Sequence, residues 1–135
     1  MHPFFYFLLI YSIALPVFFI IDMLWLGIVA RSFYAKHLGH MMRSPILWSA
    51  AIIFYMLFVG GLVFFAIMPA LAETSLMRAI IYGGLFGFMT YATYDLTNLA
   101  TLKNWPIIVT AVDLLWGTVL GALVSGVTYG VTLII

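Results

Sequence analysis

Four uninterrupted apolar runs, Phe4 to Ala30, Ile46 to Pro69, Leu76 to Leu102 and Trp105 to Ile135, leave this chain few ways to fold. Each is long enough to cross roughly 30 Å of hydrocarbon, which takes about 20 helical residues. The runs are continuous rather than alternating, and an open sheet edge in lipid would strand unpaired backbone groups, so helices are expected. With 67% apolar residues and only five Lys/Arg and four Asp/Glu, the predicted fold is an all-α membrane protein. Its architecture is a four-helix transmembrane bundle, one domain over residues 1–135, with a short interfacial helix between helices 1 and 2. A net charge of +1 and the lack of any basic run exclude nucleic acid as a partner, and the absence of cysteine excludes disulfides and thiolate chemistry. The start, MHPFFYFLLIYS, has no basic n-region or A-x-A site and is expected to be retained.

Local signals refine this plan. Pro16 removes an N–H within helix 1 and frees the Ser12 carbonyl, a kink signal ahead of Asp22. In FYAKHLGHMMR, Tyr34, Leu38, Met41 and Met42 fall on one face and Lys36, His40 and Arg43 on another, as a headgroup-level helix requires. Pro45 is expected in the first turn of helix 2, which is otherwise featureless apart from Gly60 and Gly61. Thr74 or Ser75 can cap helix 3. Gly83 and Gly87 on helix 3, and Gly117, Gly121 and Ser125 on helix 4, are small-residue steps that allow close backbone approach. They predict tight packing of those two helices and also suggest a homodimer seam.

Three of the four acidic residues lie inside the apolar runs. Asp22 stands nine positions before Arg31, Asp95 eight before Lys103, and Asp113 nine after Asn104. At 1.5 Å per residue all three sit roughly 12 to 14 Å from the same membrane face. An Asp at that depth costs about 2.5 to 3.5 kcal/mol on insertion scales, so the three are expected to converge in a shared interior as a ligand- or proton-binding layer. Tyr91 and Asn98 share the helical face of Asp95, and Thr90, Tyr94, Thr97 and Thr101 form a second polar stripe beside it. Tyr91 or Tyr94, with Asn98, is expected to hydrogen-bond the carboxyl group.

Asp22 and Asp113 each precede a tryptophan by three residues, Trp25 and Trp116. Because their helices run in opposite directions, the two indoles are expected to bracket the acidic layer, with room for a cation between aromatic faces. The competing role for each indole is simple donation to a buried polar group. No lysine or arginine lies at this depth, so the layer must hold protons, bind a cation or open to water. As a metal site, the carboxylates Asp22, Asp95 and Asp113 would suit a hard divalent ion; His37 and His40 form a weaker pair without a third ligand. No P-loop, H-E-x-x-H, G-x-S-x-G or dinucleotide-binding glycine pattern occurs in a suitable context.

The stretches IDMLWLGIVARSFYAKHLGH, TYATYDLTNLATLKNWP and VDLLWGT resemble the bacterial predicted-membrane-protein family known as domain of unknown function 2177. The resemblance runs over almost the whole chain and implies a small integral membrane protein of bacterial type. It brings no reaction, substrate, cofactor or catalytic residue with it. Three functions are compatible with the residues: a proton- or cation-coupled transporter or binding protein; an embedded enzyme acting on a lipid or isoprenoid through Asp acid/base or metal chemistry; or a structural subunit in which the aspartates are interhelical glue. The partners expected are the lipid bilayer and a cationic or lipid-like small molecule. Arg31, Lys36, Arg43 and Lys103 occupy the first and third loops against Arg78 in the second, which places both termini on the periplasmic side of the inner membrane. A reporter fused after Ile135 should therefore read as periplasmic; a cytoplasmic signal would overturn the orientation.

Overall fold

The computed structural model describes residues 1–135 and is helical throughout, with no strand. Its elements are α1 (Pro3–Val29), α2 (Arg31–Leu38) followed by a single 3-10 turn (Gly39–Met41), α3 (Trp48–Ala72), α4 (Leu76–Thr101) and α5 (Ile107–Ile134). Helices α1, α3 and α5 are long and apolar enough to cross a membrane. At 26 residues α4 is of similar length, but its glycines, tyrosines and threonines make it less apolar. Large apolar side chains cover the outer faces, Leu57 being 70% exposed. Such surfaces are stable against lipid and costly in water.

Helix α1 starts with Pro3 in its first turn, where a missing N–H does no harm, and the His2 ring accepts the Phe4 N–H at 3.2 Å. Its buried residues, Ile10, Ala14, Phe18 and Asp22, recur every fourth position and form one inward stripe that ends in the carboxylate. Ile10, Ala14 and Phe18 pack with Phe58, Val59, Leu62, Val63 and Ile67 of α3 and with Leu120 and Val124 of α5, which makes the main core.

Two helices contain a π-helical turn. In α1 it spans Trp25–Val29, and the Ala30 N–H reaches back five residues to the Trp25 carbonyl at 2.8 Å. In α3 it spans Val63–Ile67, just ahead of Pro69. This corrects the expected end of the second span at Pro69: the wider turn comes just ahead of the proline ring, and the helix continues to Ala72. At its other end α3 begins at Trp48, so Pro45 lies in the connection rather than in the first turn. Met41 and Met42 likewise lie beyond α2, which stops at Leu38. The Ser75 hydroxyl caps α4, accepting the Arg78 N–H at 3.1 Å.

The most extensive helix contact joins α4 and α5. A Cβ built on Gly83 would strike the Gly121 carbonyl and Ser125, and one on Gly87 would strike the Gly117 carbonyl. Conversely, a Cβ on Gly121 meets the Gly83 carbonyl and one on Gly117 meets Tyr91. The small-residue faces are thus consumed within the chain, which removes them as a homodimer seam. Gly87→Ala should destabilise the protein by about 1 to 3 kcal/mol, the usual cost of overpacking. Gly130→Ala, where nothing lies within 4 Å, should change stability by less than about 0.5 kcal/mol. Unfolding by denaturing detergent in mixed micelles measures both.

Candidate functional site

All five helices contribute to one cavity of about 660 Å³. Helix α1 supplies Asp22 and Trp25, α2 supplies Tyr34 and Leu38, α3 supplies Phe54 and Tyr55, α4 supplies Thr90 and Tyr91, and α5 supplies Asp113 and Trp116. Of its 15 lining residues 11 are hydrophobic, and none is Lys, Arg or His. Asp22 and Asp113 therefore face a space with aromatic walls and no fixed positive charge.

The two Asp-x-x-Trp segments serve each other crosswise. Trp116 donates its indole N–H to Asp22 Oδ1 at 3.3 Å, although it follows Asp113 in sequence. Trp25, which follows Asp22, donates to the Tyr34 hydroxyl at 3.2 Å, and Tyr34 in turn donates to Asp113 Oδ1 in a short hydrogen bond. This crossing is a result of the antiparallel run of α1 and α5. It also brings the indoles face to face, with centroids 4.3 Å apart and planes within 7°. The expected bracket around a cation is thereby corrected, since stacked rings at that spacing leave no room between them. Burial together with the neighbouring Asp113 carboxyl raises the Tyr34 phenol above its ordinary value, which keeps it a donor.

Asp95 lies behind this surface. It is fully buried, does not line the cavity, and neither of its oxygens meets an N–H or O–H donor. The Asp113 carboxyl lies within electrostatic reach of it. The Thr110 hydroxyl accepts the Trp105 indole N–H at 3.0 Å and donates to the Asp95 main-chain carbonyl at 3.5 Å, not to its carboxyl. One proton held between Asp95 and Asp113, the latter also accepting from Tyr34, would spare the pair a second buried negative charge.

The remaining expected residues divide. Tyr91 lines the cavity within electrostatic reach of Asp22 and Asp113. Tyr94 is 59% exposed and meets Trp105 edge-on at 5.9 Å. The expectation that Tyr91, Tyr94 or Asn98 would hydrogen-bond the carboxyls is corrected, because the donors are Tyr34 and Trp116. Tyr94 lines the cavity without a carboxyl partner, and Asn98 lies a turn beyond Asp95 and does not line the cavity, while α2 folds back to deliver Tyr34. His37 pairs with the Phe33 carbonyl at 2.9 Å and His40 is exposed. No three His, Asp or Glu side chains are grouped to hold a metal ion. Tyr34 and Tyr55 are site residues that sequence reasoning does not single out; the shared face of Tyr34 and Leu38, both cavity-lining, is the available signal for the first.

Tyr34→Phe removes the one side chain that joins the α1 indole to the α5 carboxyl. Loss of that buried pair of hydrogen bonds should cost about 1 to 3 kcal/mol. A shift of tryptophan emission should accompany it, because Trp25 loses its acceptor. Unchanged stability and emission would contradict the hydrogen-bond chain.

Neither a curated protein nor a solved structure matches the chain. One family does, and its sequence profile aligns with residues 7–130, a range that holds every cavity residue described above. The chain therefore belongs to the predicted-membrane-protein family, domain of unknown function 2177.

Proposed function

We propose that this is a four-span inner-membrane protein whose cavity binds a cation in exchange for a proton, as part of a cation-coupled transporter or binding protein. The carrying observation is a cavity faced by Asp22 and Asp113 with no basic side chain in its lining. On this reading α4 crosses the bilayer with α1, α3 and α5, α2 lies at the cytoplasmic face, and both termini are periplasmic. The glycine seam supports the crossing, because it holds α4 along α5.

Charge supplies the reason for exchange. A buried carboxylate pair is costly in hydrocarbon, and a proton shared by Asp95 and Asp113 lowers that cost. A cation entering beside Asp113 supplies the same compensation and releases the proton. Tyr91 adds an aromatic face, and such contacts contribute up to roughly 2 kcal/mol when desolvated. Trp116 and Tyr34 hold the Asp22 and Asp113 oxygens in place by donation and carry no charge themselves.

Infrared difference spectroscopy on the protein in lipid, with tetramethylammonium as the probe cation, tests this. The protonated-carboxyl band should diminish on addition, with release of about one proton per cation bound. Asp95→Asn keeps the shape, removes one proton site and should abolish the signal. A wild-type band indifferent to the cation, or a signal that survives the substitution, would refute the exchange.

A further inference from the structure

The cavity has a side opening. All buried residues of α3 fall between Phe58 and Ala70, and none lies in its first ten positions. Contact between α3 and α4 is concentrated at and beyond the π-helical turn Val63–Ile67, while the earlier part of α3 touches α4 little. The residues flanking that gap line the cavity and remain exposed. Phe54 on α3 lines the cavity and is 39% exposed; Thr93 and Tyr94 on α4 line it and are exposed. The inner end carries Asp22 and Asp113, and the walls toward the gap are aromatic and aliphatic.

We infer that the ligand is a single-chain amphiphile with a cationic head, which enters sideways from the bilayer between α3 and α4. Its head lies against Asp22 and Asp113 and its chain runs out through the gap past Ala51 and Phe54. This rests on the cation-site reading above and names the ligand class. Volume and charge carry the choice. A cavity of about 660 Å³ falls within the roughly 300–1,000 Å³ of sites that enclose drug-sized ligands, far more than a bare ion needs. A phosphate or sulfate head would meet two carboxyls and no basic group. A neutral head would leave those carboxyls without a counter-charge. The apolar walls match a chain already dissolved in lipid, so discrimination falls to the head.

Dodecylpyridinium provides the test, because its cationic head quenches indoles on contact. The Trp48→Phe protein, which lacks the exposed tryptophan at the start of α3, is placed in phosphatidylcholine vesicles. Quenching should saturate with the mole fraction of dodecylpyridinium and be reversed by dodecyltrimethylammonium but not by dodecanol. Asp113→Asn should raise the half-saturating fraction by about ten-fold or more. Ala51→Phe narrows the gap while leaving every carboxyl in place; it should weaken dodecylpyridinium quenching and leave the response to N-methylpyridinium unchanged. Quenching that rises linearly without saturation and ignores both substitutions would overturn the inference, as would displacement by dodecanol. If N-methylpyridinium saturates the site and dodecylpyridinium does not, the amphiphile falls and the cation site stands. A carboxyl infrared band that responds to neither removes both.

Discussion

Close backbone contact between α4 and α5 sets the register on which the site depends. With no side chain at Gly83, Gly87, Gly117 and Gly121, each carbonyl of the seam lies where the opposite Cβ would be. The antiparallel pairing of Gly83 with Gly121 and Gly87 with Gly117 then continues by whole turns. It carries Tyr91 toward Asp113 and sets the main chain of Asp95 beside Thr110. The buried carboxyl pair is a consequence of the same register, and a shift of one residue along the seam would rotate Asp95 toward lipid.

Against that rigid pair, α1 and α3 play different parts. Helix α1 is tied to α5 by core packing and by the crossed donors, and the indole stack forms a flat contact between the two helices. Helix α3 enters the core from Phe58 onward, with Leu62 and Ile67, and its contacts with α1 begin at Tyr55 and Met56. Strong packing beyond Phe58 and an unburied start before it leave the cavity room beside the first turns of α3.

Much of this arrangement is legible in the residues. The apolar runs specify the long helices, the glycine spacing specifies the α4–α5 contact, and Ser75 reads as a cap because its chemistry is local. The facing of Asp22 and Asp113 into one cavity agrees with their matching distances from the loops, whereas counting does not tell that Asp95 lies outside its lining. The illegible part depends on helix rotation after an irregular turn. The π-helical turns at Trp25–Val29 and Val63–Ile67 reset the face that a regular period would assign, and no residue type marks them. Hence the helical period places Tyr34 on its face but not against Asp113, sets the indoles apart, and ends the helix at Pro69. On the regular helix α4 both stripes reach the cavity, Thr90 and Tyr94 beside Tyr91, and Asp95 alone of them is fully buried.

The turn at Trp25–Val29 has a meaning in chain length. A π-helical turn holds one residue more than the α-helical turn it replaces, and each residue rotates the remainder of the helix by about 100°. The number of positions from Asp22 to Tyr34 is therefore a dimension of the site, as much as a bond length is. Exchange of Leu26 or Ile28 for another apolar residue preserves that dimension. A further residue inserted there would exceed what the wide turn absorbs and rotate the chain beyond it by about 100°, carrying the Tyr34 hydroxyl away from Asp113 with every side chain of the site still present.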